Sequence, residues 1–201
     1  IFQSADYHIQ IEPVCSLSSP DLVTAPVSRK PRISGDQIRQ RLGLPTGRNV
    51  ILVTTGGIPQ GYGFFPMLKK VSTIAFVMPG AGPEIKFNDY LIILPHHSDF
   101  YHPDLANAFD AVVGKVGYST LAEVYHAGVP FGYVARADYN ESGPMVNFIK
   151  QQMPGFAVEE SDFFDGKWIS KIPELLALPR VHRKGVNGAE QVGKFILSIL
   201  K

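Results

Sequence analysis

The sequence predicts an α/β fold: a doubly wound, mostly parallel sheet of about six strands with helices on both faces. Three observations carry this. Short, nearly unbroken apolar runs recur, as in Asn49-Val-Ile-Leu-Val-Thr54, which suits strands buried on both faces. Helical stretches stand between these runs, and that alternation requires parallel strands joined by right-handed crossovers. Glycine-rich turns follow the first and the fourth run.

Tyr7 to Ile11 alternates at period two and reads as a short strand. Glu12 to Arg32 contains Pro13, Pro20, Pro26 and Pro31 and reads as an extended linker rather than a helix. Residues 1–32 are expected to be the tail of an upstream domain plus an interdomain connection, the alternative being a plain disordered terminus. Residues 33–201 form the α/β domain. Ser34 is placed to N-cap a helix to about Leu42, which Gly43 stops.

Asn49–Thr54 is the first strand, and Gly63–Val71 a helix after the loop that follows it. Thr73–Met78 is the second strand, Pro79–Pro83 a loop, and Tyr90–Leu94 the third strand. Pro103 opens a short helix to about Phe109. Asp110–Val113 is the fourth strand, and a helix from about Ser119 is stopped by Gly128. Phe131–Val134 is the fifth strand, Met145–Gln152 a helix and Gly155–Val158 a sixth strand. Phe163–Leu178 is mostly helix with a break imposed by Pro173. Gly188–Leu200 closes the chain as an amphipathic helix through Val192, Phe195, Ile196, Ile199 and Leu200.

The 201 residues are 45% hydrophobic and 18% charged, as in a globular protein. A net charge of +1, from 19 basic and 18 acidic residues, gives no field suited to nucleic acid or an anionic membrane. The single Cys15 excludes an internal disulfide framework and fits a reducing, cytoplasmic setting. No run approaches the ~18 apolar residues of a transmembrane helix. The chain opens on Ile1 without the charged leader and apolar core of a signal peptide, so a fragment of a longer polypeptide is expected.

In a doubly wound sheet, ligands bind beyond the carboxyl ends of the strands, where the strand order reverses. Two glycine loops fall at such ends: one through Gly56 and Gly57, the other from Gly114 to Thr120. Neither is a Walker sequence or a Gly-x-Gly-x-x-Gly fingerprint. Gly114 and Gly117 allow a backbone to come close to a ligand. Ser119 and Thr120 begin a helix, whose free N–H groups and dipole favour an anion, and Lys115 is a nearby cation. These three fit a phosphate site or ordinary turn and capping chemistry. Glu123, one turn further along, fits a ribose acceptor or a surface glutamate favoured by the dipole. Arg136 fits a phosphate or carboxylate ligand, or a surface pair with Asp138 or Glu141. His96, His97 and His102 match no standard metal spacing, so no metal site is expected, though one of them could contact a base or sugar. Cys15 has no histidine pattern around it that would mark a catalytic thiol.

The run Gly117-Tyr-Ser-Thr-Leu-Ala-Glu123, followed by Gly128-Val-Pro130, resembles the donor-binding motif of GT-B glycosyltransferases. The resemblance is to the C-terminal, Rossmann-like domain of the peptidoglycan N-acetylglucosaminyltransferase and UDP-glycosyltransferase group. Thr54-Thr-Gly-Gly-Ile-Pro-Gln-Gly61 resembles that group's first glycine loop. Gly114–Thr120, Val134–Ser142 and Asn147 are similar to the glycosyltransferase-like part of L-arabinokinases, which stands beside a sugar kinase. The resemblance spans roughly the whole chain and implies one half of a GT-B fold. It implies that Glu123 binds ribose hydroxyls, that Gly117, Ser119 and Thr120 lie at the diphosphate, that Gly57 approaches it from the other loop, and that Arg136, Asn140 and Glu141 sit near the sugar. The group's acidic–Gln pair is replaced here by Asn140-Glu141, so the resemblance does not fix the sugar.

The implied activity is that of a hexosyltransferase whose donor, a UDP-sugar, is bound by this half as substrate rather than cofactor. The acceptor site and the catalytic base belong to the missing N-terminal domain of the same polypeptide, so little transfer is expected from this chain alone. Two alternatives stand beside it: a non-catalytic GT-B-like domain that binds a sugar nucleotide next to another enzyme, and a sugar-nucleotide epimerase.

Overall fold

The computed structural model describes residues 4–16, 18–54, 63–136 and 139–200. Nine strands are seen among these residues: β1 (Ile9–Ile11), β2 (Leu22–Thr24), β3 (Val50–Thr54), β4 (Ala75–Gly82), β5 (Lys86–Phe87), β6 (Leu91–Pro95), β7 (Ala111–Lys115), β8 (Phe131–Val134) and β9 (Gly155–Ala157). The described helices are α1 (Gly35–Arg41), α2 (Phe65–Leu68), α3 (His102–Ala108), α4 (Tyr118–Ala127), α5 (Ser142–Gln152), α6 (Glu160–Asp165), α7 (Ile172–Ala177) and α8 (Gly188–Ile199).

The main sheet has seven strands in the order β5-β6-β4-β3-β7-β8-β9. All pair in parallel except β5, a short antiparallel edge strand. Within this sheet the chain enters at β3, winds outward through β4 to β6, then crosses back to β7 on the other side of β3. The order therefore reverses between β3 and β7, and the sheet is a Rossmann-like, doubly wound one. Val50 to Thr54 are all buried, as the unbroken apolar run requires.

Helices cover both faces. On one, Leu52, Val77, Leu94 and Val112 meet Ile38, Leu105, Leu121 and Ile149 from α1, α3, α4 and α5. On the other, Val53, Phe76 and Val113 meet an aromatic cluster in which Phe64 lies 5.7 Å from Phe163 and 5.5 Å from Trp168. Such edge-to-face pairs add about 0.5–1.5 kcal/mol each beyond area burial.

The capping signals act as expected at α1. Ser34 Oγ accepts from the Gln37 amide at 3.3 Å, and Gln37 Oε1 accepts from the Ser34 amide at 3.0 Å. Other boundaries move. β4 runs through Pro79 to Gly82, a stretch the sequence reads as loop, with a register shift between Pro79 and Gly82. The break in the helical stretch after Phe163 falls at Gly166, whose φ of 75° ends α6. Pro173 instead sits in the first turn of α7, where its missing N–H costs nothing.

The described residues from Leu22 to Ile33 pack on the domain. β1 and β2 form a separate parallel pair with Gln10 opposite Val23. The strip from Ala25 to Ile33 is then bonded to the domain at several points. The Ala25 amide donates to Gln191 Oε1 at 2.7 Å, the Val27 amide to Tyr118 Oη at 2.9 Å, and Asn187 Nδ2 to the Ser28 carbonyl at 2.8 Å. The Arg32 amide donates to the buried Asp104 at 2.6 Å. A prolyl-rich, linker-like sequence is thus laid over α3, α4 and α8.

Candidate functional site

β3 and β7 pair with Thr54 opposite Gly114, so the crevice opens where these strands end. Gly114 is not a loop residue. It lies within β7, and a Cβ there would sit 2.1 Å from the Thr54 carbonyl oxygen. Its glycine serves close strand packing, which corrects the expectation of a close approach to ligand. Gly117 is different. It is the N-cap of α4 with an extended backbone, and a Cβ there would meet nothing within 4 Å.

No side chain caps α4, and its first internal bond runs from the Leu121 amide to the Gly117 carbonyl at 2.9 Å. The amides of Tyr118, Ser119 and Thr120 therefore have no partner within the helix. At the other end Gly128, with φ of 69°, stops the helix, and its amide donates to the Val124 and Tyr125 carbonyls.

A cavity of about 300 Å³ lies before this helix end. Thr54, Gly80 and Pro95 line it from the ends of β3, β4 and β6, and Ser119, Thr120 and Glu123 from α4. Two wider concavities, about 610 and 690 Å³, lie around Arg48 at the opposite, amino-terminal edge of the sheet. Two of their arginines are already committed: Arg48 donates to the Asp89 and Ser72 carbonyls, and Arg39 to Asp110 at 2.8 Å. The smaller cavity is the one at the strand ends where α4 begins.

Glu123 is the centre of that cavity's chemistry. It is not a surface glutamate, for its side chain is 3% exposed. Arg29 Nη2 and Nε donate to Oε1 at 2.8 and 3.3 Å, and His102 Nδ1 meets Oε2 at 2.5 Å. Burial pushes the Glu123 carboxyl up, but His102 and Arg29 outweigh it and hold the group below the usual carboxylate range. The bond to Glu123 in turn raises the Arg29 guanidinium, against partial burial. Both Arg29 and His102 line the cavity.

The structure thus brings Ser119, Thr120 and Glu123 together. Lys115 stands apart, because it alternates to the other sheet face, where Nζ pairs with Glu160 at 2.8 Å and lies over the Phe164 ring. Arg136, Asn140 and Glu141 lie beyond β8 and do not line the cavity. Arg136 stacks on Tyr139 with 4.0 Å to the ring centroid and donates to its hydroxyl at 3.1 Å. Gly56 and Gly57 lie outside the described residues.

Sequence reasoning missed Arg29 entirely. It sits 94 residues before Glu123 in a segment read as linker, and no local pattern marks it. In the sequence His102 reads as one of three loop histidines, although it opens α3 one residue before the helix-starting Pro103. Among the described residues, no cluster of three or more His, Cys, Asp or Glu is placed to hold a metal ion, and no helix is long and apolar enough to cross a membrane.

No protein-family model matches the chain. Over 191 residues, 94% of this chain, it is 26% identical to an L-arabinokinase of Arabidopsis thaliana, and the match spans 18% of that protein's length. The glycosyltransferase SnogD from Streptomyces nogalater superposes on 89% of this chain and 50% of its own, at 17% identity and a TM-score of 0.49. The arabinokinase similarity bears out the resemblance read from Gly114–Thr120 and Val134–Ser142. The strand order bears out the doubly wound fold.

Proposed function

We propose that this domain binds the nucleotide-sugar donor, a UDP-sugar, of a GT-B-type glycosyltransferase that moves a hexosyl group to an acceptor hydroxyl. The observation that supports it is the meeting, at the sheet's switch point, of a ten-residue helix with an uncapped N-terminus and a buried carboxylate one turn along. The amides of Tyr118 to Thr120, the Ser119 and Thr120 hydroxyls and the Arg29 guanidinium form an anion-binding set for the diphosphate. Glu123 anchors the part that recognises ribose hydroxyls.

During transfer the acceptor oxygen bonds to the anomeric carbon as the bond from that carbon to the diphosphate breaks. Negative charge grows on the leaving diphosphate. Preorganised amides and Arg29 favour that charge more in the transition state than in the bound donor, which is how they accelerate the step. The base that takes the acceptor's proton belongs, on this proposal, to the remainder of the longer polypeptide.

A second reading is favoured by the arabinokinase similarity: the same cavity binds a sugar nucleotide without transfer, beside a kinase domain. Isothermal titration with UDP, GDP, ADP and TDP tests the site common to both. Binding of one of them, lost at least tenfold in Glu123→Ala, is the expected result. Absence of binding at millimolar nucleotide overturns the proposal. Sugar transfer or its absence in the longer polypeptide then separates the two readings.

A further inference from the structure

Glu123 is poorly placed to touch a ligand itself. Both residues line the cavity, but the Glu123 side chain is 3% exposed and that of His102, directly against it, is 25% exposed. Oε1 already accepts two N–H groups from Arg29, and Oε2 faces His102 Nδ1 at 2.5 Å. A vicinal diol could grip both carboxylate oxygens only if one of these partners gave way.

That contact selects the tautomer of the neutral ring. An ionised carboxylate only accepts, so Nδ1 carries the proton that it donates to Glu123. Nε2 is then a lone-pair acceptor in the neutral ring. Among the described residues, nothing approaches Nε2 within hydrogen-bond reach. The carboxylate behind the ring fixes its orientation and strengthens Nε2 as an acceptor, as it does for metal-bound histidines. The surrounding polar groups include the Arg29 guanidinium from the linker strip, which only donates, and the Ser119 and Thr120 hydroxyls from α4, which can donate or accept. His96, from the loop after β6, also lines the cavity, and Asp104, on His102's own helix, is turned to the Arg32 and Ile33 amides.

We infer that His102 Nε2, backed by Glu123, is the atom that accepts a hydrogen bond from a ribose hydroxyl of the bound nucleotide. The inference rests on the nucleotide-site reading and assigns its hydroxyl recognition to a residue outside the glycine motif. Glu123 becomes the positioning residue and His102 the ligand-contacting one.

Ligand and side chain can be deleted in one cycle. The probes are UDP and ADP, each with its 2′-deoxy and 3′-deoxy counterpart, titrated into the 201-residue chain. His102→Asn keeps an N–H near the Nδ1 position, and with it the bond to Glu123, but removes Nε2. His102→Gln reaches the Nε2 position with an amide.

In the parent chain, removal of the contacted hydroxyl is expected to weaken binding about tenfold, the scale of one hydrogen bond. In His102→Asn that penalty should vanish, while the diphosphate still binds, and His102→Gln should restore part of it. A hydroxyl penalty that persists in His102→Asn and vanishes in Glu123→Gln overturns the inference and returns the contact to Glu123. The inference also falls if no deoxy analogue binds more weakly than its parent. If neither UDP nor ADP binds the parent chain, the nucleotide reading itself fails, and the inference falls with it.

Discussion

Arg29 and Glu123, 94 residues apart, meet at 2.8 Å across the mouth of the cavity. The arginine side chain is 58% exposed and the glutamate 3%, so one partner is at the surface and the other is inside. Removing the outer partner should cost little stability, about 1 kcal/mol or less, since half-exposed pairs are screened. It should still shift the carboxylate. In Arg29→Ala, the Glu123 carboxyl is expected to titrate at higher pH than in the parent chain, read by carbon-13 chemical shift against pH. An unmoved titration would show that His102 alone sets it.

The lowered Glu123 carboxyl makes a signed prediction about acid. A carboxyl that holds its proton less tightly when folded stabilises the fold above its unfolded value, about pH 4.3. That contribution is lost as pH falls through the folded value. Glu123→Gln should therefore be less stable than the parent near neutral pH. The gap should narrow as pH drops below about 4, measured by urea unfolding at each pH.

Gly114→Ala should be destabilised by about 1–3 kcal/mol or more, because its Cβ would stand 2.1 Å from the Thr54 oxygen. Gly128→Ala should behave similarly, through both its left-handed backbone and a 1.9 Å approach to the Val181 carbonyl oxygen. Gly117→Ala should fold normally, as nothing lies within 4 Å of the added carbon. Thermal unfolding of the three variants checks this ordering.

Asp104 holds two successive linker amides, Arg32 at 2.6 Å and Ile33 at 3.4 Å. Asp104→Ala leaves these donors without their acceptor, at a cost of about 1–3 kcal/mol. Amide exchange at Arg32 and Ile33 should accelerate selectively. Uniform acceleration over the whole sheet would instead signal global loss of stability.

Lys115→Met should leave nucleotide affinity within about threefold, because the amine is committed to Glu160 on the far sheet face. A larger loss, measured by titration, would place Lys115 at the diphosphate as its sequence position suggests.

The sheet was almost fully legible. Each buried strand, such as Val50–Thr54, carries its own apolar run, and the alternation with helices sets the parallel order. Elements held by contacts rather than by their own pattern were not legible. β2 exists because Leu22–Thr24 pairs with Ile9–Ile11 and rests on α8, and nothing in Leu-Val-Thr alone requires it. β4 extends past Met78 through two glycines and a proline because β6 runs alongside. At the site, helix-start logic found Ser119, Thr120 and Glu123, which are neighbours in sequence. It nominated Lys115 by proximity in the chain, but strand alternation turns that side chain away. Arg29 and His102 reach Glu123 only through the tertiary fold.

The strip from Ala25 to Ile33 has one consequence for how the molecule is divided. The sheet-forming sequence begins after residue 33, and a cut there would keep every strand of the main sheet. It would also remove the guanidinium from the buried carboxylate and unbind the backbone that crosses α3 and α4. The edge of the fold and the edge of the site do not coincide. The strip outside the sheet is therefore part of the wall of the cavity, through the Arg29 guanidinium it carries.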